Sequence, residues 1–208
     1  MNIEQIADRF WFWANYAYDA YRNHHTGDEL PCRPFDGVTP HAIHPIATAL
    51  LALAEPLLET ETRYKVALAL LFHDLFEDST KGLPDDLPPE WVNEITQIVN
   101  EMTFEQGLPQ EAAELWQKSP LTILAKLFDK YHSFTEHATW MSHHKPIEGR
   151  LFLDHSRKVA AHVERAFGRL HIVSATQQLC DRYDAQFPPA LLDFEAQLEE
   201  VRAEIRRR

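Results

Sequence analysis

Leu70-Leu71-Phe72-His73-Asp74-Leu75-Phe76-Glu77-Asp78 carries an apolar run straight into a cluster of imidazole and carboxylate side chains. The run starts at Val66, and charged groups that directly continue such a stretch are costly to bury unless they are paired or metal-bound. At 100° per residue His73 and Asp74 are neighbours on a helix, Glu77 lies at i+4 from His73, and Asp78 at i+4 from Asp74. The spacing predicts a helix over residues 61–78, stopped by Gly82, Pro84, Pro88 and Pro89.

Outward from this segment the pattern remains helical. The chain has six glycines and no Asn-Gly hairpin signal, so the expected fold class is all-α, a helical bundle. A first helix is expected over residues 3–22, its aromatics Phe10, Trp11, Phe12, Trp13, Tyr16, Tyr18 and Tyr21 forming a core-facing band. Gly27, Pro31, Pro34, Gly37 and Pro40 mark residues 24–40 as a loop, and long loops in compact domains are often functional. Further helices are expected near residues 41–58, 90–102, 110–117, 121–135 and 148–167, with a last one over 189–207.

Composition narrows the function. A chain of 208 residues is expected to form one domain, 1–208. Twenty basic against 32 acidic residues give a formal charge of -12, which opposes sequence-independent binding to a phosphate backbone and argues against nucleic acid as a partner. A small polyanion stays open if a metal and a few local cations override the global field. Cys32 and Cys180 form no CxxC spacing, the start lacks a basic and apolar leader, and residues 66–72 fall far short of the roughly 20 needed for a membrane span. A cytoplasmic protein without membrane attachment is expected. The aromatic first helix leaves a homo-oligomer in view.

His44, the pair His73-Asp74 and Asp129 supply imidazole and carboxylate from three separate segments, a donor mix that suits manganese, iron, zinc and similar divalent ions. Glu77 and Asp78, one turn beyond the pair, are placed to orient or deprotonate a water acidified by such an ion.

The string Leu71-Phe72-His73-Asp74-Leu75-Phe76-Glu77-Asp78-Ser79 resembles the signature of the HD superfamily, in the HDxxED form of the RelA/SpoT-type alarmone hydrolases. Pro40-His41-Ala42-Ile43-His44-Pro45-Ile46 resembles that family's PYxxHP(I/V) segment, and Ala125-Lys126-Leu127-Phe128-Asp129-Lys130-Tyr131-His132 its KLADRLHN segment. The three occur in the family's order, between about residues 40 and 135. The resemblance implies an HD-domain helical bundle in which His44, His73, Asp74 and Asp129 hold a divalent ion, usually Mn2+, with Zn2+, Co2+, Fe2+ or Mg2+ as alternatives. Glu77 and Asp78 would serve the attacking water. It further implies Arg33 as a substrate contact, and of Lys126 and Lys130 we expect Lys130 to face the phosphates. Ser133, also expected to touch substrate, stands where the alarmone branch usually carries an asparagine close to the nucleotide, and the loop before His44 differs from the family pattern.

The expected activity is phosphohydrolysis of a small purine nucleotide, most like the 3'-pyrophosphohydrolysis of guanosine-3',5'-bis(diphosphate), or (p)ppGpp. The alternatives are a 5'-deoxynucleotidase or dNTP triphosphohydrolase, for which Asp85-Asp86 offers an extra carboxylate, and a non-catalytic nucleotide-binding HD module. His132 is read as structural, and Glu136-His137 is set aside because it lacks the companion segments.

Overall fold

The computed structural model describes residues 1–26, 32–33, 35–190 and 192. The chain is all-α, with helices α1 (Ile3–Asn23), α2 (Ile43–Leu53), α3 (Thr60–Phe72), α4 (Leu75–Asp78), α5 (Val92–Met102), α6 (Leu108–Glu114), α7 (Pro120–His144), α8 (Pro146–Phe167) and α9 (His171–Tyr183). Among the described residues the β-type pairings are two isolated bridges, His25 with Ser79 and Cys32 with Pro40. No helix there is long and apolar enough to cross a membrane.

α3 lies at the centre. Every residue from 66 to 72 is fully buried, because α1, α2, α5 and α7 all pack against this helix. An apolar run without a polar face therefore fits its position. α1 starts with a capping box in which Gln5 N donates to Asn2 Oδ1 and Asn2 N donates to Gln5 Oε1, both at 2.9 Å. Its inward stripe is Ile6, Phe10, Trp13, Ala14, Ala17, Ala20 and Tyr21. The expected aromatic band splits: Trp11 and Phe12 are 60% and 70% exposed, because four consecutive aromatics are spread over about 300° of the helix and cannot share one face.

Several boundaries differ from expectation. α2 is shorter than 41–58: Pro56 disfavours helical backbone at Glu55, and the buried Glu55 carboxylate instead accepts from Ile172 N (2.9 Å) at the start of α9. α7 extends to His144, well past 135, and Ser119 caps its start by accepting from Thr122 N. α9 was not among the expected helices, although Ile172, Val173, Thr176, Leu179 and Cys180 line its buried face at helical spacing. It is separated from α8 by Gly168, whose φ of 81° is left-handed. The expected helix over 189–207 lies almost wholly outside the described residues.

The main core is shared by α1, α2, α3, α5, α7 and α8. A second apolar cluster, Phe134, Ala138, Met141, Leu153, Leu179, Cys180 and Phe187, ties α7, α8 and α9 together.

Candidate metal centre

The expected helix over 61–78 breaks where the chemistry begins. α3 ends at Phe72, Asp74 takes φ -95° and ψ 3°, and α4 restarts at Leu75. That backbone lies in the sparsely populated bridge region, where turn and active-site residues concentrate. Glu77 N and Asp78 N then donate to Asp74 O (3.2 and 2.9 Å), so the new turn is built on the aspartate itself.

Three elements converge here: the α3–α4 junction brings His73, Asp74, Glu77 and Asp78, the start of α2 brings His41 and His44, and α7 brings Lys126, Asp129, His132, Ser133 and Glu136. His44 Nε2 faces Asp129 Oδ1 at 3.0 Å, and His73 Nε2 faces Asp74 Oδ1 at 3.1 Å and Asp129 Oδ1 at 3.9 Å. One donor atom each from His44, His73 and Asp129 fit within 4.8 Å of one another. Asp74 joins through His73 and turns its other oxygen to His41 Nε2 (3.2 Å), which also meets Asp78 Oδ2 at 3.0 Å.

The hydrogen bonding leaves both candidate histidine ligands usable by a cation. His73 Nδ1 donates to Leu70 O at 2.7 Å, which fixes the tautomer and presents the Nε2 lone pair to the carboxylates. His44 Nδ1 has His132 Nδ1 at 2.9 Å and Glu136 Oε2 at 3.7 Å behind it, partners that can accept its proton and free Nε2. Burial holds His73 below its usual pKa despite Asp74 and Asp129, which keeps it in the neutral, ligating form. Burial opposes ionisation of Asp74 and Asp129, yet the imidazoles around both and Lys126 beside Asp129 hold them well below the ordinary carboxylate range. His41 is drawn up to about 9: burial works against its charge, but Asp74 and Asp78 outweigh it.

Glu77 is exposed and close enough to Asp74, Asp78 and Lys126 to feel their charges. Crowding around its carboxyl, reinforced by the charges of Asp74 and Asp78, raises its pKa against the opposing pull of a Thr103 hydrogen bond and Lys126. Two carboxylates with different partners are therefore available, Glu77 with a raised proton affinity and Asp78 bound to His41.

The three residues expected to touch substrate have other engagements. Arg33 is buried and donates to Glu136 Oε2 at 2.8 Å, behind His44. Lys130, expected to face the phosphates, instead pairs with Glu111 Oε1 at 2.5 Å and lies 4.7 Å from the Phe152 ring. Lys126 is the lysine at the cluster, 3.2 Å from Asp129 Oδ2, because i–3 brings it onto the aspartate's face whereas i+1 turns Lys130 by 100°. Ser133 Oγ donates to Asp129 Oδ1 at 3.3 Å. Asp86 is taken by Arg9 and by Trp13 Nε1 (2.9 Å), so it ties the loop to α1.

His41, Lys126, His132 and Glu136 are the site neighbours that the sequence reading did not select. A signal existed for the last two: they lie at i+3 and i+7 from Asp129, on its face of α7. Glu136 accepts from Arg33 and faces His132 at 3.4 Å, an arrangement that supports His44 from behind. No protein-family model matches the chain, and no curated protein matches it.

Proposed function

We propose that this chain is a metal-dependent phosphohydrolase of the HD type acting on a small purine nucleotide, most like a (p)ppGpp 3'-pyrophosphohydrolase. The observation that carries the reading is the meeting of His44, His73 and Asp129, from three distant segments, with Asp74 Oδ1 3.1 Å from His73 Nε2 and His73 Nδ1 already committed to Leu70 O. The donor set fits a divalent ion such as Mn2+. Such an ion would supply Lewis acidity toward a phosphoryl oxygen and lower the pKa of water in the site.

The chain's own residues divide the remaining work. Glu77, whose pKa is raised, is suited to take a proton from water and return it to a leaving oxygen. His41 holds Asp74 and Asp78 in fixed relation through two short contacts. Lys126 places a buried positive charge beside Asp129, where it can offset charge developing on a phosphoryl group. The formal charge of -12 makes this local cation count for more in attracting an anion.

Arg33 and Ser133 favour a second substrate reading. Glu136 occupies the guanidinium expected to clamp a diphosphate, and Ser133 is turned to Asp129. A 5'-deoxynucleotidase or dNTP triphosphohydrolase does not require that clamp. The test is a panel of (p)ppGpp, deoxynucleoside monophosphates and triphosphates assayed with Mn2+, Co2+ or Mg2+ and with EDTA. Hydrolysis is expected only with metal, and Asp74→Ala should lower it by at least a thousandfold, in line with loss of a metal ligand. Full turnover by Asp74→Ala in EDTA would overturn the proposal, and tight metal and nucleotide binding without turnover would make the chain a binding module.

A further inference from the structure

A cavity of about 590 Å³ lies away from the metal centre, between α6, the turn after it and α8. That is the size range of small-molecule sites. Its lining includes Trp116 on one side and a stripe of α8 on the other: His155, Lys158, His162 and Arg165, spaced 3, 4 and 3 residues apart and so aligned along one helix face. In a chain of charge -12 this is a local concentration of positive and imidazole groups. Asp154, the acidic residue of the lining, is already paired with Arg150 at 2.9 Å.

Two features give the cavity the character of a built site. Trp116 is fixed by its own indole N–H, which donates to Ala112 O at 2.9 Å, and its ring meets His155 and His162 with centroids 5.7 and 5.5 Å away. A planar, partly exposed aromatic is thus held beside the cations. His155 is 3% exposed, and its Nε2 donates to Glu111 Oε1 at 2.9 Å. Its Nδ1 is therefore an acceptor, and that atom is buried with no partner among the described residues. Burial together with Lys130 and Lys158 keeps the ring below its usual pKa, hence neutral, and the acceptor persists at pH 7. Orphaned buried acceptors are rare and point to a missing donor.

We propose that this cavity binds a phosphorylated heteroaromatic compound carrying an N–H donor, a purine mononucleotide being the nearest chemical type, at a site separate from the metal centre. The ring lies against Trp116, the phosphate is taken by Lys158 and Arg165 with His162 beside them, and the ring's N–H group meets His155 Nδ1. The long, mobile cations suit a charge at the cavity mouth, and the aromatic wall suits a flat ring behind it.

Calorimetric titration of the full chain with GMP, AMP and inorganic phosphate in EDTA tests this without any contribution from a bound metal. Saturable binding of the nucleotides is expected, weakened at least tenfold by the double variant Lys158→Glu/Arg165→Glu and by Trp116→Leu, and unchanged in Asp74→Asn. Both cations are exposed, so the charge-reversed protein should fold, which its thermal melt verifies. Inorganic phosphate should bind more weakly than either nucleotide and be insensitive to Trp116→Leu. Absence of saturable nucleotide binding, or binding lost in Asp74→Asn but kept in the charge reversal, overturns the proposal. So does a sedimentation mass that shows self-association abolished by the charge reversal, which would assign the face to a second copy of the chain.

Discussion

His73 owes its orientation to a single main-chain acceptor, Leu70 O, and Glu111 shows the same dependence on partners far away in sequence. Glu111 is buried and touches Lys130 at 2.5 Å, His155 at 2.9 Å and Lys126 at 3.7 Å, so it links the lysines of α7 to α8. Burial opposes its charge, but these cations and the imidazole bring its pKa down to about 2, from 4.5. A depressed carboxylate pKa adds stability that is complete above about 4.5 and is lost as pH falls toward about 2. Urea unfolding between pH 7 and 2.5 should therefore show a steep loss across this window, and Glu111→Gln should flatten that part of the profile. The variant should also lose about 3–5 kcal/mol at pH 7, because Lys130 would be left buried without its counter-charge. An unchanged acid profile in Glu111→Gln would refute the assignment. The identity of the lysine at the metal centre belongs to the same scale. Lys126 and Lys130 are equivalent in a motif and are separated only by which of Asp129 and Glu111 each one meets.

Among the elements, the packing of α8 against the segment after α9 depends on one missing methyl group. A Cβ at Gly149 would come within 2.1 Å of Phe187 Cε1, and Phe187 is fully buried, so the ring has little room to yield. Gly149→Ala gains helix propensity but overpacks the second apolar cluster, and a net loss of about 1–3 kcal/mol is expected. Thermal denaturation should show it, with the melting temperature of a chain this size falling by about 2–4 °C per kcal/mol. A rise instead would mean that Phe187 has another place to go. α3 and α4 teach the complementary lesson. Periodicity alone reads residues 61–78 as one helix, and the break at His73-Asp74 appears only because the side chains must turn toward α2 and α7. The extension of α7 past residue 135 to His144 matters in the same way, since the longer helix carries Glu136 beyond Asp129 to the back of His44.

For the molecule as a whole, the candidate metal centre is a junction of α2, α7 and the α3–α4 turn, so a cation held there would cross-link elements that the unfolded chain keeps apart. Binding to the folded form alone adds about 2.7 kcal/mol at a hundredfold excess over the dissociation constant. At about 2–4 °C per kcal/mol, Mn2+ should raise the melting temperature by roughly 5–10 °C and EDTA should reverse the rise. Asp74→Asn should abolish the shift while retaining the hydrogen bond of a neutral side chain to His41. A metal-dependent shift of full size in that variant would remove Asp74 from the ligand set.

The amino-acid sequence by itself determined the helical class, most helix positions and the residue types of the candidate centre. These follow from local spacing: apolar periodicity, proline and glycine punctuation, and imidazole and carboxylate at the ends of apolar runs. Arg33 illustrates what it did not determine, because its position before His44 says nothing of Glu136, 103 residues away. The same holds for His41, for the choice of Lys126 over Lys130, for the interruption of α3 and for the cavity beside Trp116. Each depends on how helices are rotated about their axes and which distant side chains then meet, and only the tertiary packing sets those angles.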